Sequence, residues 1–109
     1  MTSFVTPGGK RADLYYRDGA EVAVIEAKSL ATHGKVREAV AQLLDYAADS
    51  PDPVTRLMAL FPERPADDGL TFLHRLGIDC VYRSTNDHFV TEEAPDQRRR
   101  YMHPVWRGR

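Results

Sequence analysis

A predicted β-hairpin near the start of the chain constrains the fold more than any other feature. Two strand-like segments flank Asp18 and Gly19, a dipeptide that favours a two-residue hairpin turn. The second segment contains a continuous apolar run over residues 22–25, which predicts a strand covered on both faces. The run ends in a carboxylate, Glu26, and an ammonium group, Lys28. Burying such groups is costly without partners, so the pattern indicates a polar site at this end of the hairpin.

The length of the turn decides which side chains share a face of the hairpin. With the Asp-Gly dipeptide at its centre, Asp13 lies opposite Val24. Because side chains alternate along a strand, Asp13 then shares one face with Glu26 and Lys28. Asp13 and Glu26 become diagonal neighbours, about 7–8 Å apart at the backbone, so their carboxylates can converge on one ion. The alternative interpretation is a surface hairpin with an ordinary ladder of acids and lysines.

An amphipathic helix is predicted after the hairpin. Its apolar stripe follows the spacing i, i+3, i+4, i+7, i+8, i+11 and consists of Val36, Ala39, Val40, Leu43, Leu44 and Ala47. The helix is expected to begin between Thr32 and Lys35 and to end before Ser50, which precedes a proline. Gln42 and Tyr46 lie one turn apart beside this stripe.

The rest of the chain predicts an α/β sandwich in which helices flank a central mixed sheet. Residues 4–6 fit a short first strand, and residues 55–61 and 78–82 fit two later ones. Between the later strands, Asp67 or Asp68 would cap a helix that ends at Gly77. One domain is expected over residues 1–93, followed by a basic C-terminal tail over residues 94–109.

Five residues together resemble the PD-(D/E)XK nuclease superfamily, in the branch that carries a QxxxY motif: Asp13, Glu26, Lys28, Gln42 and Tyr46. Residues 9–13 and 24–28 look most like the nuclease domain of type I restriction enzyme motor subunits, and the same branch includes RecB-like nucleases. The resemblance covers about residues 9–49. It implies a restriction-endonuclease-like sandwich, although the usual first core helix is missing from the predicted elements. It also implies hydrolysis of phosphodiester bonds in DNA, the substrate of the enzymes it resembles, in restriction, defence or repair.

The resemblance also assigns roles to these residues. Asp13, Glu26 and the Ala27 carbonyl would bind Mg²⁺ or Mn²⁺, and hard oxygen ligands of this kind suit both ions. Lys28 would orient the attacking water or stabilise the transition state. Gln42 and Tyr46 would position the site from the helix and contact the nucleic-acid backbone.

Basic residues near the two ends of the chain are candidates for contacts with nucleic acid. Three of them surround the predicted site, and three begin the tail: Lys10, Arg11 and Lys35, then Arg98, Arg99 and Arg100. Residues 98–109 carry five arginines and no acids, whereas the whole chain has a formal net charge of −1, so residues 1–97 carry −6. With Tyr101 and Trp106, this tail would grip phosphates and stack on a base, or it would be a solvated chain end.

Composition agrees with one small domain in a reducing compartment. The chain has 109 residues, a single cysteine (Cys80) in an apolar setting, and no run long enough for a membrane helix. We therefore expect a cytoplasmic protein without a membrane partner. The missing first helix favours a homodimer or a domain of a larger protein. It also leaves open a second function, a non-catalytic nucleic-acid-binding or assembly domain that retains the nuclease fold.

Overall fold

The computed structural model describes residues 2–5 and 11–108, with side chains described from residue 14 to residue 108. In this part of the chain, six strands form one mixed sheet whose spatial order follows the chain order. The strands are β1 (Thr2–Val5), β2 (Arg11–Asp18), β3 (Glu21–Ala27), β4 (Arg56–Phe61), β5 (Asp79–Arg83) and β6 (Phe89–Glu92). The helices are α1 (His33–Asp49), α2 (Asp67–Arg75) and α3 (Asp96–Trp106). The predicted α/β class with a mixed sheet is therefore confirmed.

The hairpin between β2 and β3 has a different register from the predicted one. Arg17 pairs with Val22, so Gly19 and Ala20 form the centre of the turn, not Asp18 and Gly19. Gly19 has φ +59°, the positive value that a type II′ turn requires at its first central residue. The predicted position of the turn is thus wrong by one residue. The loop still contains two residues, so the predicted alternation of side chains along β3 is retained.

Two helical crossovers make the centre of the sheet parallel. β3 pairs in parallel with β4, and β4 with β5, while α1 and α2 connect them. The bounds of α1 match the prediction, because Thr32 caps it by accepting a hydrogen bond from the Lys35 N–H at 3.3 Å. All but one of the predicted stripe residues are buried, and Leu44 is half-buried. Gly77 ends α2 with φ +77°, as predicted.

In the described part of the chain, the three helices contribute to a single core on one face of the sheet. This core contains alternate strand residues such as Val24 and Leu57, the α1 stripe, and Met102 and Trp106 of α3. The other face carries a groove of about 460 Å³ whose apolar part is lined by Tyr16, Ala23, Ile25 and Met58. Among the described residues, the three helices therefore pack on one face of the sheet, an arrangement compatible with the predicted sandwich.

The segment after residue 93 contains a helix that is part of the core, in contrast to the separate tail expected from its charge. Trp106 is 1% exposed, and its indole N–H donates a hydrogen bond to the Leu76 carbonyl at 3.0 Å. A Cβ atom at Gly77 would lie 3.0 Å from the Cα atom of Arg99, so α3 packs tightly against the end of α2. Arg99 itself is buried and pairs with Asp79. The arginine-rich composition concealed a helix with one apolar side.

Two smaller expectations concern the cysteine and the membrane. Cys80 is fully buried in the core as predicted, and burial raises the pKa of its thiol to about 12. The thiolate that reacts with oxidants and metals is therefore scarce at neutral pH. Among the described residues, the helices fall short of the length and hydropathy needed to cross a bilayer.

Candidate metal and nucleic-acid site

The predicted site lies at the edge of the sheet where the parallel strands β3, β4 and β5 end. The backbone N–H of Lys28 donates a hydrogen bond to the Leu60 carbonyl at 2.9 Å, which fixes the residue after β3 to the end of β4. In parallel α/β sheets, the carboxyl ends of the strands are the usual position of ligand sites. The fold therefore places Glu26 and Lys28 at the edge where chemistry is most often found.

Glu26 and Lys28 form a nearly buried ion pair at this edge. The side chains are only 8% and 10% exposed, and Lys28 Nζ lies 3.6 Å from Glu26 Oε2. Both project from the helix-covered face of the sheet, in agreement with the predicted alternation along β3. An acid and a lysine held this far from bulk water interact more strongly than a surface pair would. The interpretation as an ordinary exposed ladder does not fit this burial.

Glu38 of α1 is a third member of the site that the sequence analysis missed. Its Oε1 atom lies 3.3 Å from Lys28 Nζ, and its Oε2 atom lies 3.1 Å from Lys35 Nζ. Hydrogen bonds from Lys35 and Lys28 lower the pKa of this carboxyl, so Glu38 stays ionised at neutral pH. The spacing of four residues between Glu38 and Gln42 was the available signal, because it places both on one side of α1. Lys35 thus joins the site through Glu38.

Three predicted site residues precede the region of described side chains. Lys10 lies outside the described residues, as do the side chains of Arg11 and Asp13. The backbone of Asp13 belongs to β2, immediately before Leu14, which pairs with Ile25. Continued by one residue, this register sets Asp13 directly opposite Glu26, in place of the predicted diagonal arrangement.

Gln42 and Tyr46 lie one turn apart on α1 but differ in burial. Gln42 is exposed, whereas Tyr46 is 2% exposed and packs in the core. The step of four residues turns about 40° around the helix, which is enough to carry Tyr46 across the boundary between the exposed and the buried side. Burial raises the pKa of Tyr46 to about 12, and its neighbours include Tyr15 and Ser50 near the opposite end of α1 from Glu38. Roles for both residues in the site remain predictions.

The three arginines that begin the predicted tail, Arg98, Arg99 and Arg100, lie at the end of the sheet remote from Lys28. Residues of α3 contact the start of β4, since the ring of His103 hydrogen-bonds to the Thr55 carbonyl at 3.0 Å. The five residue steps of β4 separate its two ends by about 16 Å. Arg98 and Arg100 are exposed there, whereas Arg99 is held by Asp79. Contacts of these arginines with nucleic acid remain predictions and would be remote from Lys28.

Within residues 14–108, the described side chains contain no group of three or more His, Cys, Asp or Glu residues suited to a metal ion. Glu26 is nevertheless a buried carboxylate at an accessible edge, and the Ala27 carbonyl belongs to the residue next to it. Together with Asp13, these would supply the oxygen donors that Mg²⁺ and Mn²⁺ prefer. The residues present are compatible with such an ion, and the carboxylate of Asp13 would complete its set of protein ligands.

Comparisons with protein-family models, curated proteins and solved structures find no match for this chain. The interpretation of the site therefore depends on its residues and their geometry.

Proposed function

We propose that this protein is a metal-dependent nuclease of the PD-(D/E)XK type, which hydrolyses phosphodiester bonds in DNA. The observation that carries the proposal is the buried Glu26–Lys28 pair at the carboxyl end of β3. A core of this size gains little from a buried acid and lysine, because desolvation offsets much of their attraction. The register of the hairpin supports the proposal, since its continuation brings Asp13 opposite Glu26.

The reaction needs groups that manage negative charge on a phosphate that is already anionic. A divalent ion bound by Asp13, Glu26 and the Ala27 carbonyl would acidify a water molecule and offset that charge. Lys28 directly follows the proposed ligands Glu26 and Ala27 in the chain. Its ammonium group would therefore hold the attacking water or the phosphate oxygen. Glu38 would position Lys28 through their 3.3 Å contact and would not touch the substrate.

The second candidate is a non-catalytic assembly domain that retains this fold. The groove on the sheet face opposite the helices favours this assembly domain, because the side chains of Ile25 and Met58 are only partly covered there. The occupant it fits best is a second copy of the chain, docked through the exposed side of α3. At the rim of the groove, two acids, Glu21 and Glu93, both pair with Arg56. The helix α3 would contribute the exposed apolar residue Val105 and its arginines to the contact.

One experiment separates the two candidates. The purified chain is incubated with single- and double-stranded DNA and RNA in Mg²⁺, in Mn²⁺ and in EDTA, beside a variant that combines Glu26→Ala with Lys28→Ala. We expect cleavage of DNA by the wild type only, and only with metal. Equal cleavage by the double variant would refute the proposed site. Absence of cleavage, together with a dimer by light scattering, would favour the assembly domain.

A further inference from the structure

A second cleft lies beside Lys28, on the part of the edge formed by β4, β5 and β6. It has a volume of about 210 Å³. Its lining includes Lys28, Leu60, Phe61, Arg83 and Phe89. Phe89 is 61% exposed although it is a large apolar side chain, and it begins the edge strand β6. None of the sequence patterns singled out Arg83 or Phe89.

Arg83 and Phe89 form a cation–aromatic pair at the mouth of this cleft. They are register partners on β5 and β6, and the Arg83 guanidinium carbon lies 5.9 Å from the centroid of the Phe89 ring. Asp87 holds the same guanidinium through a 3.2 Å ion pair, which keeps the arginine near the ring. The cleft thus combines a flat apolar surface with one cation, Arg83, while the ammonium group of Lys28 is directed toward Glu26 and Glu38.

We propose that this cleft binds an unpaired base of a nucleic-acid strand, so that the substrate of the site is single-stranded nucleic acid or a frayed end. The inference rests on the proposed nuclease function, because it concerns the strand that reaches Lys28. The base stacks on Phe89, and Arg83 contacts the neighbouring phosphate. Stacking on an aromatic ring together with a nearby arginine is a general way to bind single strands.

The geometry favours a single strand over a duplex. A base inside a duplex has both of its faces covered by neighbouring bases, so it cannot lie on Phe89 until it is unstacked. Every base has an aromatic face, and the cleft is therefore expected to tolerate any sequence. Ala27 and Lys28 line the same cleft, so a strand anchored on Phe89 would pass the end of β3, which carries the proposed metal ligands.

The chain supplies a matched control for this proposal. Arg98 and Tyr101 of α3 form a similar pair, with the guanidinium carbon 5.5 Å from the ring centroid, and Tyr101 is 69% exposed. This second pair lies at the end of the sheet that is remote from Lys28. Any general attraction of nucleic acid to exposed arginine–aromatic pairs would affect both pairs equally, whereas a specific site beside Lys28 would depend more strongly on Phe89.

Binding is measured by fluorescence anisotropy with a labelled oligothymidine strand and with a duplex of equal length, in EDTA so that no metal-dependent cleavage occurs. We expect the single strand to bind more tightly than the duplex. Phe89→Ala should weaken binding of the single strand by about 5- to 150-fold. Phe89→Trp should preserve it, and Tyr101→Ala should weaken it less than Phe89→Ala does.

Equal losses for Phe89→Ala and Tyr101→Ala, no loss for Phe89→Ala, or equal affinity for duplex and single strand would each overturn the inference. Failure to bind any strand would overturn it as well. Because the assay contains no metal, its outcome is distinct from that of the cleavage experiment. Specific binding of the single strand without cleavage in the metal-containing assay would support this inference and refute the nuclease function. Cleavage at equal rates by the wild type and Phe89→Ala would support the nuclease function and refute this inference.

Discussion

Replacing Glu26 by glutamine is expected to lower metal-dependent cleavage by about 100- to 1000-fold, the size of effect seen when one preorganised electrostatic contact is removed from an active site. Glutamine keeps the shape of the side chain and removes its charge. The side chain is 8% exposed, so water cannot replace the lost carboxylate easily. The measurement is the initial rate of cleavage in Mg²⁺, with circular dichroism to verify that the variant is folded.

Glu38→Gln is the matched control, because it also removes a carboxylate that contacts Lys28. Glu38 is 52% exposed, and an exposed pair contributes little energy. We therefore expect this variant to lose less than about tenfold in rate. An equal loss in both variants would show that the two carboxylates contribute equally, for instance through their shared contact with Lys28, and would contradict a specific metal-binding role for Glu26.

Replacing Asp79 by alanine is expected to lower the free energy of unfolding by about 3–5 kcal/mol, the typical cost of removing one partner of a buried ion pair. Asp79 is fully buried and joins three parts of the fold. Its carboxylate lies 2.6 Å from an Arg56 nitrogen and 3.3 Å from an Arg99 nitrogen, and it accepts the Ala94 N–H at 2.8 Å. The variant would leave Arg99, itself buried, without its buried counter-charge, because its other partner, Asp96, is 60% exposed.

The control for this change removes an exposed partner of Arg56, which is also a partner of Asp79. Glu21 lies 2.7 Å from Arg56 but is 46% exposed, so Glu21→Ala should cost less than about 1 kcal/mol. Both changes in the free energy of unfolding are to be measured by urea denaturation at neutral pH. If the two variants were equally stable, Asp79 would contribute no more than an exposed partner does, and the attachment of α3 would depend on its other contacts, such as those of Met102, His103 and Trp106.

The elements with a strong local period could be predicted from the sequence. The apolar stripe of α1 and the proline that follows Ser50 gave bounds that the structure reproduces, because helix periodicity and proline breaks are local properties of the sequence. The hairpin was predicted with its turn one residue too early. Asp18-Gly19 favours a type I′ turn, but the observed turn uses the positive φ of Gly19 at its first central position.

The parts that escaped prediction depend on partners distant in sequence. The helix α3 has a run of arginines, and only the spacing of Arg99, Met102 and Trp106 indicates a buried side. Arg99 can be buried because Asp79, twenty residues earlier, provides its counter-charge. Glu38 likewise joins the candidate site only once α1 packs beside β3. Periodicity does not report such pairings, since they arise when separate elements meet.

The central claim is that the carboxyl end of β3 binds a divalent metal ion through Glu26 and Asp13. Titration calorimetry with Mn²⁺ tests this directly, because it requires no knowledge of the substrate. We measure the wild type, Asp13→Asn and Glu26→Gln, each verified as folded. The account predicts that the wild type binds Mn²⁺ and that each variant binds at least about tenfold more weakly, as expected when a ligand is lost. Equal binding by all three proteins, or no binding by the wild type, would contradict it.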